Sequence, residues 1–125
     1  MIMNELFIKQ FFSEKGQLSN SVDDYRVRQE QVDISVLIDE AITHKKKLIV
    51  EAGTGIGKTF AYLVPAFLSG GKIIISTATK NLQDQLFTKD IPMIRDALKV
   101  PVTLAMLKGR SNYLCHLRLE NAMIE

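Results

Sequence analysis

Cysteine is almost missing from this sequence: Cys115 is the single one in 125 residues. An internal disulfide is therefore impossible. One thiol cannot close a zinc site alone, and the two histidines, His44 and His116, lie far apart in the chain. A closed metal site within these residues is not expected. Charge of one sign is also missing. Lys and Arg number 16 against 14 Asp and Glu, a net of +2. This is not the basic bias of a small DNA-coating protein, although a local basic groove would still suffice for nucleic acid. Long apolar runs are absent. The longest, Phe60 to Leu68, contains Pro65 and is about half of what a bilayer crossing requires. Met1-Ile2-Met3-Asn4-Glu5 has no basic segment leading into an apolar one. The expectation is a cytoplasmic protein with a reduced thiol and no membrane association.

What is present is ordinary for a globular domain: 46% hydrophobic and 24% charged residues. No repeat or low-complexity segment interrupts it. Leu6, Phe7, Phe11 and Phe12 make one apolar side of a helix over residues 4–12. Gly16 and the polar run to Asp24 then form a loop. A second helix is expected from about Arg28 to Thr43. Ile34, Leu37, Ile38 and Ala41 give its buried stripe. His44 to Lys47 supply cations at its C-terminal end. Leu48 to Val50 reads as a buried strand, and so do Lys72 to Thr77 and Pro101 to Met106. Between them, helices are expected from Lys58 to Leu68, from Lys80 to Phe87 and from Ile91 to about Lys99. Pro65 should kink the first of these or sit at a bend, and Pro92 suits the first turn of the last. Asn112 is the expected cap of a final helix beginning at Tyr113. Alternating strands and helices predict an α/β fold with a parallel sheet.

The chemistry concentrates at Ala52-Gly53-Thr54-Gly55-Ile56-Gly57-Lys58-Thr59. This fits the Walker A pattern with alanine in place of the leading glycine. Glycines let a backbone curl around a phosphate with several N–H groups pointing inward. A helix starting near Gly57 would aim its positive end at the same anion. Lys58 is placed to reach the β- and γ-phosphates, and the Thr59 hydroxyl to ligate Mg²⁺. The loop alone does not separate kinase, GTPase and motor. No Asn-Lys-x-Asp guanine-reading run is present.

Further segments appear in a fixed order. They are Tyr25 through Gln31, Val50 through Ala66, Ser76 through Leu86, and Leu107 through Cys115. Together they resemble the N-terminal part of the DinG/YoaA group of superfamily 2 helicases, relatives of XPD, over roughly residues 25–118. The resemblance implies a partial RecA-like P-loop lobe, with residues 1–24 as an N-terminal helix and loop and 25–125 as the incomplete ATP-binding domain. It implies that Gln31 reads adenine, with Arg28 and Tyr25 beside the base or phosphates; a side-chain amide has the donor and acceptors that an adenine edge needs. It implies that Thr77, Thr79, Lys80, Asn81 and Gln83 contact the backbone of single-stranded DNA, where hydroxyls and amides bond phosphates without reading sequence. Gly109-Arg110-Ser111-Asn112-Tyr113-Leu114-Cys115 is similar to the segment that supplies the first thiolate of an iron–sulfur cluster. Such a cluster usually takes four cysteines, so Cys115 would ligate a [4Fe-4S] group only with cysteines from further along a longer protein. Lys108, Arg110, His116 and Arg118 surround it with positive charge.

The acidic DEAH-like run of such helicases is not present, nor is a second lobe with an arginine finger. Phosphoryl transfer depends on several such groups. The expectation is therefore an ATP-binding portion of an ATP-dependent DNA helicase that moves 5′ to 3′ on single-stranded DNA in repair or the damage response. The alternative is a complete short protein that binds ATP without hydrolysing it.

Overall fold

The computed structural model describes residues 4–124. Among the described residues six α-helices follow one another: α1 (Glu5–Phe11), α2 (Gln29–Thr43), α3 (Lys58–Leu68), α4 (Lys80–Gln85), α5 (Ile91–Leu98) and α6 (His116–Ile124). A single wide π-turn, Leu86–Asp90, joins α4 to α5. Its cause is local. Pro92 has no N–H to donate, and its ring would strike the carbonyl of Thr88 in a regular α-helix. Widening the preceding turn relieves that contact. Pro65, in contrast, is fully buried inside α3, and the helix continues through it.

The core lies around α3. Leu63 and Val64 are completely buried and belong to one cluster with Val32 of α2, Leu86 of the π-turn, and Ile91, Ile94 and Leu98 of α5. Ile8, Phe11, Phe12 and Leu18 belong to the same cluster. Phe11 and Phe12 meet edge to face with centroids 5.4 Å apart. Tyr25 donates its hydroxyl to the Phe12 carbonyl at 2.7 Å, tying the loop after α1 to the end of that helix. Residues 4–24 thus share one apolar interior with the helices that follow.

Several expectations need correction. The buried line of α2 is Gln31, Val32, Ser35 and Asp39, whereas Leu37 is 47% exposed. A helix packed against α1 and α3 buries the residues that face them, and two of the buried polar side chains find partners there. Asn4 donates to the Asp39 carboxylate at 2.9 Å, and Gln31 donates to Gly57. Asn112 does not cap α6; its side-chain amide and its backbone N–H both donate to the Gly109 carbonyl.

The largest departure concerns the sheet. Among the described residues no β-strand forms. The segments expected as strands, 48–50, 72–77 and 101–106, have neither helical structure nor a ladder. A strand exists only when a neighbour takes up its N–H and C=O groups, and these three segments do not pair. Their apolar side chains divide accordingly. Ile75, Val102 and Leu104 pack against the core, whereas Ile49 and Ile74 are 98% and 96% exposed.

If α1 shares the core as described, Phe11→Ala should cost about 3–5 kcal/mol, because it opens a cavity at a fully buried site. Urea unfolding of the intact protein measures this. A loss below about 1 kcal/mol would place α1 outside the cooperative unit.

Candidate nucleotide-binding site

The loop from Ala52 to Gly57 runs onto the first residue of α3, Lys58. Gly55 and Gly57 adopt φ of +81° and +83°, a left-handed geometry that side-chain-bearing residues rarely enter. Two such residues close together turn the chain sharply. The helix that follows is held rigidly by its buried face, so its N-terminal N–H groups have a fixed direction. Lys58 is exposed, and its ammonium donates to the Ala52 carbonyl at 2.8 Å, reaching back across the loop. These features can cradle a multiply charged anion. A helix N-terminus and a neighbouring lysine both favour negative charge.

Thr59 is half-buried on the first turn of α3. Tyr62, one turn on, has its phenol pKa pushed up by burial; hydrogen bonding to Thr59 opposes this, and the nearby Asp90 charge adds to it. A threonine hydroxyl beside an anion cradle is a suitable oxygen donor for Mg²⁺. The divalent ion would there neutralise phosphate charge. Among the described residues no group of three or more His, Cys, Asp or Glu side chains comes together to hold a metal.

Gln31 lies beneath the loop rather than above it. It is 1% exposed, and its Nε2 donates to the Gly57 carbonyl at 2.9 Å. Tyr25 is half-buried, with its hydroxyl committed to Phe12. Burial pushes its phenol pKa up, and the positive charge of Arg28 opposes that. Arg28 is exposed just before α2.

The residues expected to face DNA divide into two groups. Thr79 caps α4, its hydroxyl accepting from the Leu82 N–H at 3.2 Å, and Thr77 donates to the Thr79 carbonyl at 3.3 Å. Gln83 donates to the Leu107 carbonyl at 2.8 Å. Lys80 and Asn81 are exposed at the start of α4. A link that sequence reading missed lies beside Gln83. Lys108 pairs with Asp84 at 2.7 Å and donates its N–H to the Tyr113 hydroxyl at 2.9 Å. Nothing in the spacing of residues so far apart could have signalled it. Cys115 follows as an exposed free thiol. One thiol, with no further metal-ligating cluster among the described residues, does not fit an iron–sulfur centre.

A glycine-rich loop leads into the N-terminus of a helix whose first residue is lysine. Comparison with known proteins narrows the class. The family model described as DEAD/DEAH box helicase matches residues 33–122. The chain belongs to that family, and its likeness is to the DinG/YoaA type. It is 49% identical over 118 residues to the ATP-dependent DNA helicase YoaA of Haemophilus influenzae, covering 94% of this chain and 18% of that protein. It is 49% identical over 109 residues to the YoaA of Escherichia coli, covering 87% and 17%. The 3'-5' exonuclease DinG of Bacillus subtilis is 39% identical over 112 residues, with 86% and 12% covered. The chain therefore spans less than a fifth of the length of these relatives. No solved structure matches it.

The two left-handed glycines should respond differently to substitution. A Cβ on Gly57 would fall 2.2 Å from Gln31 Nε2, whereas one on Gly55 meets open space. Gly55→Ala should cost about 1–2 kcal/mol in backbone strain alone. Gly57→Ala should cost clearly more, because the Gln31 amide must also be displaced. Melting temperatures of the two variants, compared with wild type, provide the check; equal losses would contradict the close approach.

Proposed function

We propose that residues 52–59 are the ATP-binding loop of an ATP-dependent DNA helicase of DinG/YoaA type. The observation that carries this is the pair of left-handed glycines leading into Lys58 and the buried helix α3, within a chain that belongs to the DEAD/DEAH box family. In this reading Lys58 holds the transferring phosphate, Thr59 ligates Mg²⁺, and the loop amides take the remaining phosphate oxygens. Gln31, with Arg28 and Tyr25 nearby, selects adenine. Lys80 and Asn81, exposed on α4, contact single-stranded DNA along with Thr77, Thr79 and Gln83.

The expected architecture is a RecA-like lobe in which the extended segments 48–50, 72–77 and 101–106, unpaired among the described residues, join a parallel sheet only where the rest of the lobe supplies pairing partners. The family resemblance supports 5′-to-3′ movement, a role in DNA repair and a cytoplasmic setting. Among the described residues no helix is long and apolar enough to cross a membrane. Cys115 joins an iron–sulfur cluster only where further cysteines are supplied.

In the intact protein, Lys58→Ala should reduce DNA-stimulated ATP hydrolysis by at least a hundredfold, because it removes the mobile charge at the phosphate. Unwinding of duplexes with a 5′ single-stranded tail should stop in parallel. Hydrolysis at the wild-type rate would sink the assignment of the loop. Unwinding confined to 3′-tailed duplexes would sink the polarity.

A further inference from the structure

Asp84 places a negative charge on the helix proposed to meet DNA. Residues four apart on a helix share one face, so its carboxylate lies on the face that carries Lys80. A free carboxylate there repels phosphate. This one is occupied. Its Oδ1 takes the Lys108 ammonium at 2.7 Å, across 24 positions of sequence. The Lys108 side chain is only 23% exposed, so the pair is partly shielded from water. Beside it, Gln83 donates to the Leu107 carbonyl at 2.8 Å. Two consecutive residues of α4 thus hold two consecutive residues of a remote segment. An isolated surface ion pair contributes little, but one that belongs to such a network contributes more.

The held segment is a closed turn. The Lys108 N–H donates to the Tyr113 hydroxyl at 2.9 Å and joins the two ends. Inside, the Asn112 side chain and backbone N–H both donate to the Gly109 carbonyl, and the Tyr113 N–H donates to that of Arg110 at 3.2 Å. Arg110 is exposed on this turn, as Lys80 and Asn81 are on the helix. The turn keeps its own shape, and Gln83 and Asp84 fix it to α4.

We propose that Asp84 is a positioning residue for the binding of single-stranded DNA. By holding Lys108 it docks the turn 108–113 on α4, so that Lys80 of the helix and Arg110 of the turn keep one fixed relation to a phosphate backbone. This rests on the reading of α4 as a DNA-facing element, and it gives an acidic residue of that element a supporting role.

The sign of one substitution tests it. Asp84→Asn keeps the shape and raises the net charge by one. Electrostatics alone then predicts tighter binding of a polyanion. The latch predicts the reverse. In the intact protein, the affinity for a fluorescently labelled oligothymidine, read by anisotropy, should fall about threefold, the scale of one lost surface ion pair. The salt dependence of binding should keep its slope, because no phosphate contact is removed. ATP hydrolysis without DNA should stay at the wild-type rate, with melting curves confirming the fold. Lys108→Met should also weaken binding, and the double variant should bind no worse than Lys108→Met alone, since both changes break one link. Tighter or unchanged binding by Asp84→Asn would overturn the proposal, as would additive losses in the double variant. Lys80→Ala combined with Asn81→Ala is the separate arm: if the oligothymidine binds undiminished there, the DNA-facing reading of α4 has failed, independently of Asp84.

Discussion

Helix α3 carries the candidate phosphate loop at its first residue and the centre of the apolar core along its length. Leu63 and Val64 are fully buried, and α1, α2 and α5 all contribute side chains to the cluster around them. A loop rich in glycine has no rigidity of its own, since glycine loses more freedom on ordering than any other residue. Its shape must be imposed from outside. Burial of α3 fixes one end of the loop, and the buried amide of α2 grips the carbonyl at that end. The anion cradle depends on this packing. Removing apolar contact several residues away would loosen it without touching a phosphate ligand.

The extended segments lack such constraint. Ile49 and Ile74 stand almost wholly in solvent, although their neighbours Ile75, Val102 and Leu104 reach the core. Alternating residues of an extended chain point to opposite sides, so a segment docked on one side alone leaves the other bare. Segments 72–77 and 101–106 thus have half of the environment that a central strand of an α/β sheet has, whereas Leu48, Ile49 and Val50 are all exposed. The apolar sequence of these segments is suited to burial that the described residues supply only in part.

Two stretches remote in sequence are joined on the DNA-facing side proposed here. Gln83 and Asp84 of α4 hold Leu107 and Lys108. The turn at Gly109 and the Tyr113 hydroxyl then fix the path toward Cys115. A polar residue on a surface helix can serve a ligand or a neighbouring loop. Here Gln83 serves the loop, and Lys80 and Asn81 at the same helix start remain exposed. Residues of one segment thus divide between internal bonding and solvent according to the side of the helix they occupy.

The helices were largely legible in the sequence. The range Lys58–Leu68 came directly from the glycines before it and Ser69-Gly70-Gly71 after it, because helix ends are set by local backbone chemistry. The candidate phosphate loop was legible for the same reason: its function lies in backbone conformation, and glycine spacing records that conformation. The likeness to DinG and YoaA helicases was also carried by short contiguous segments, and the family match agrees with it. Other features depended on contacts across long sequence separations. Strand spacing and apolar runs marked where extended chain occurs but could not supply the pairing partners that make a sheet. Nor could periodicity show that α2 buries Gln31, Ser35 and Asp39 while exposing Leu37. Asn4 and Gly57 offer partners to Asp39 and Gln31, whereas the Ser35 hydroxyl is buried without one. By itself the sequence determined the helices, the loop and the family, since each rests on nearby residues. Only the tertiary structure decided what each polar side chain bonds to, since a hydrogen bond depends on distance in space and not on position along the chain.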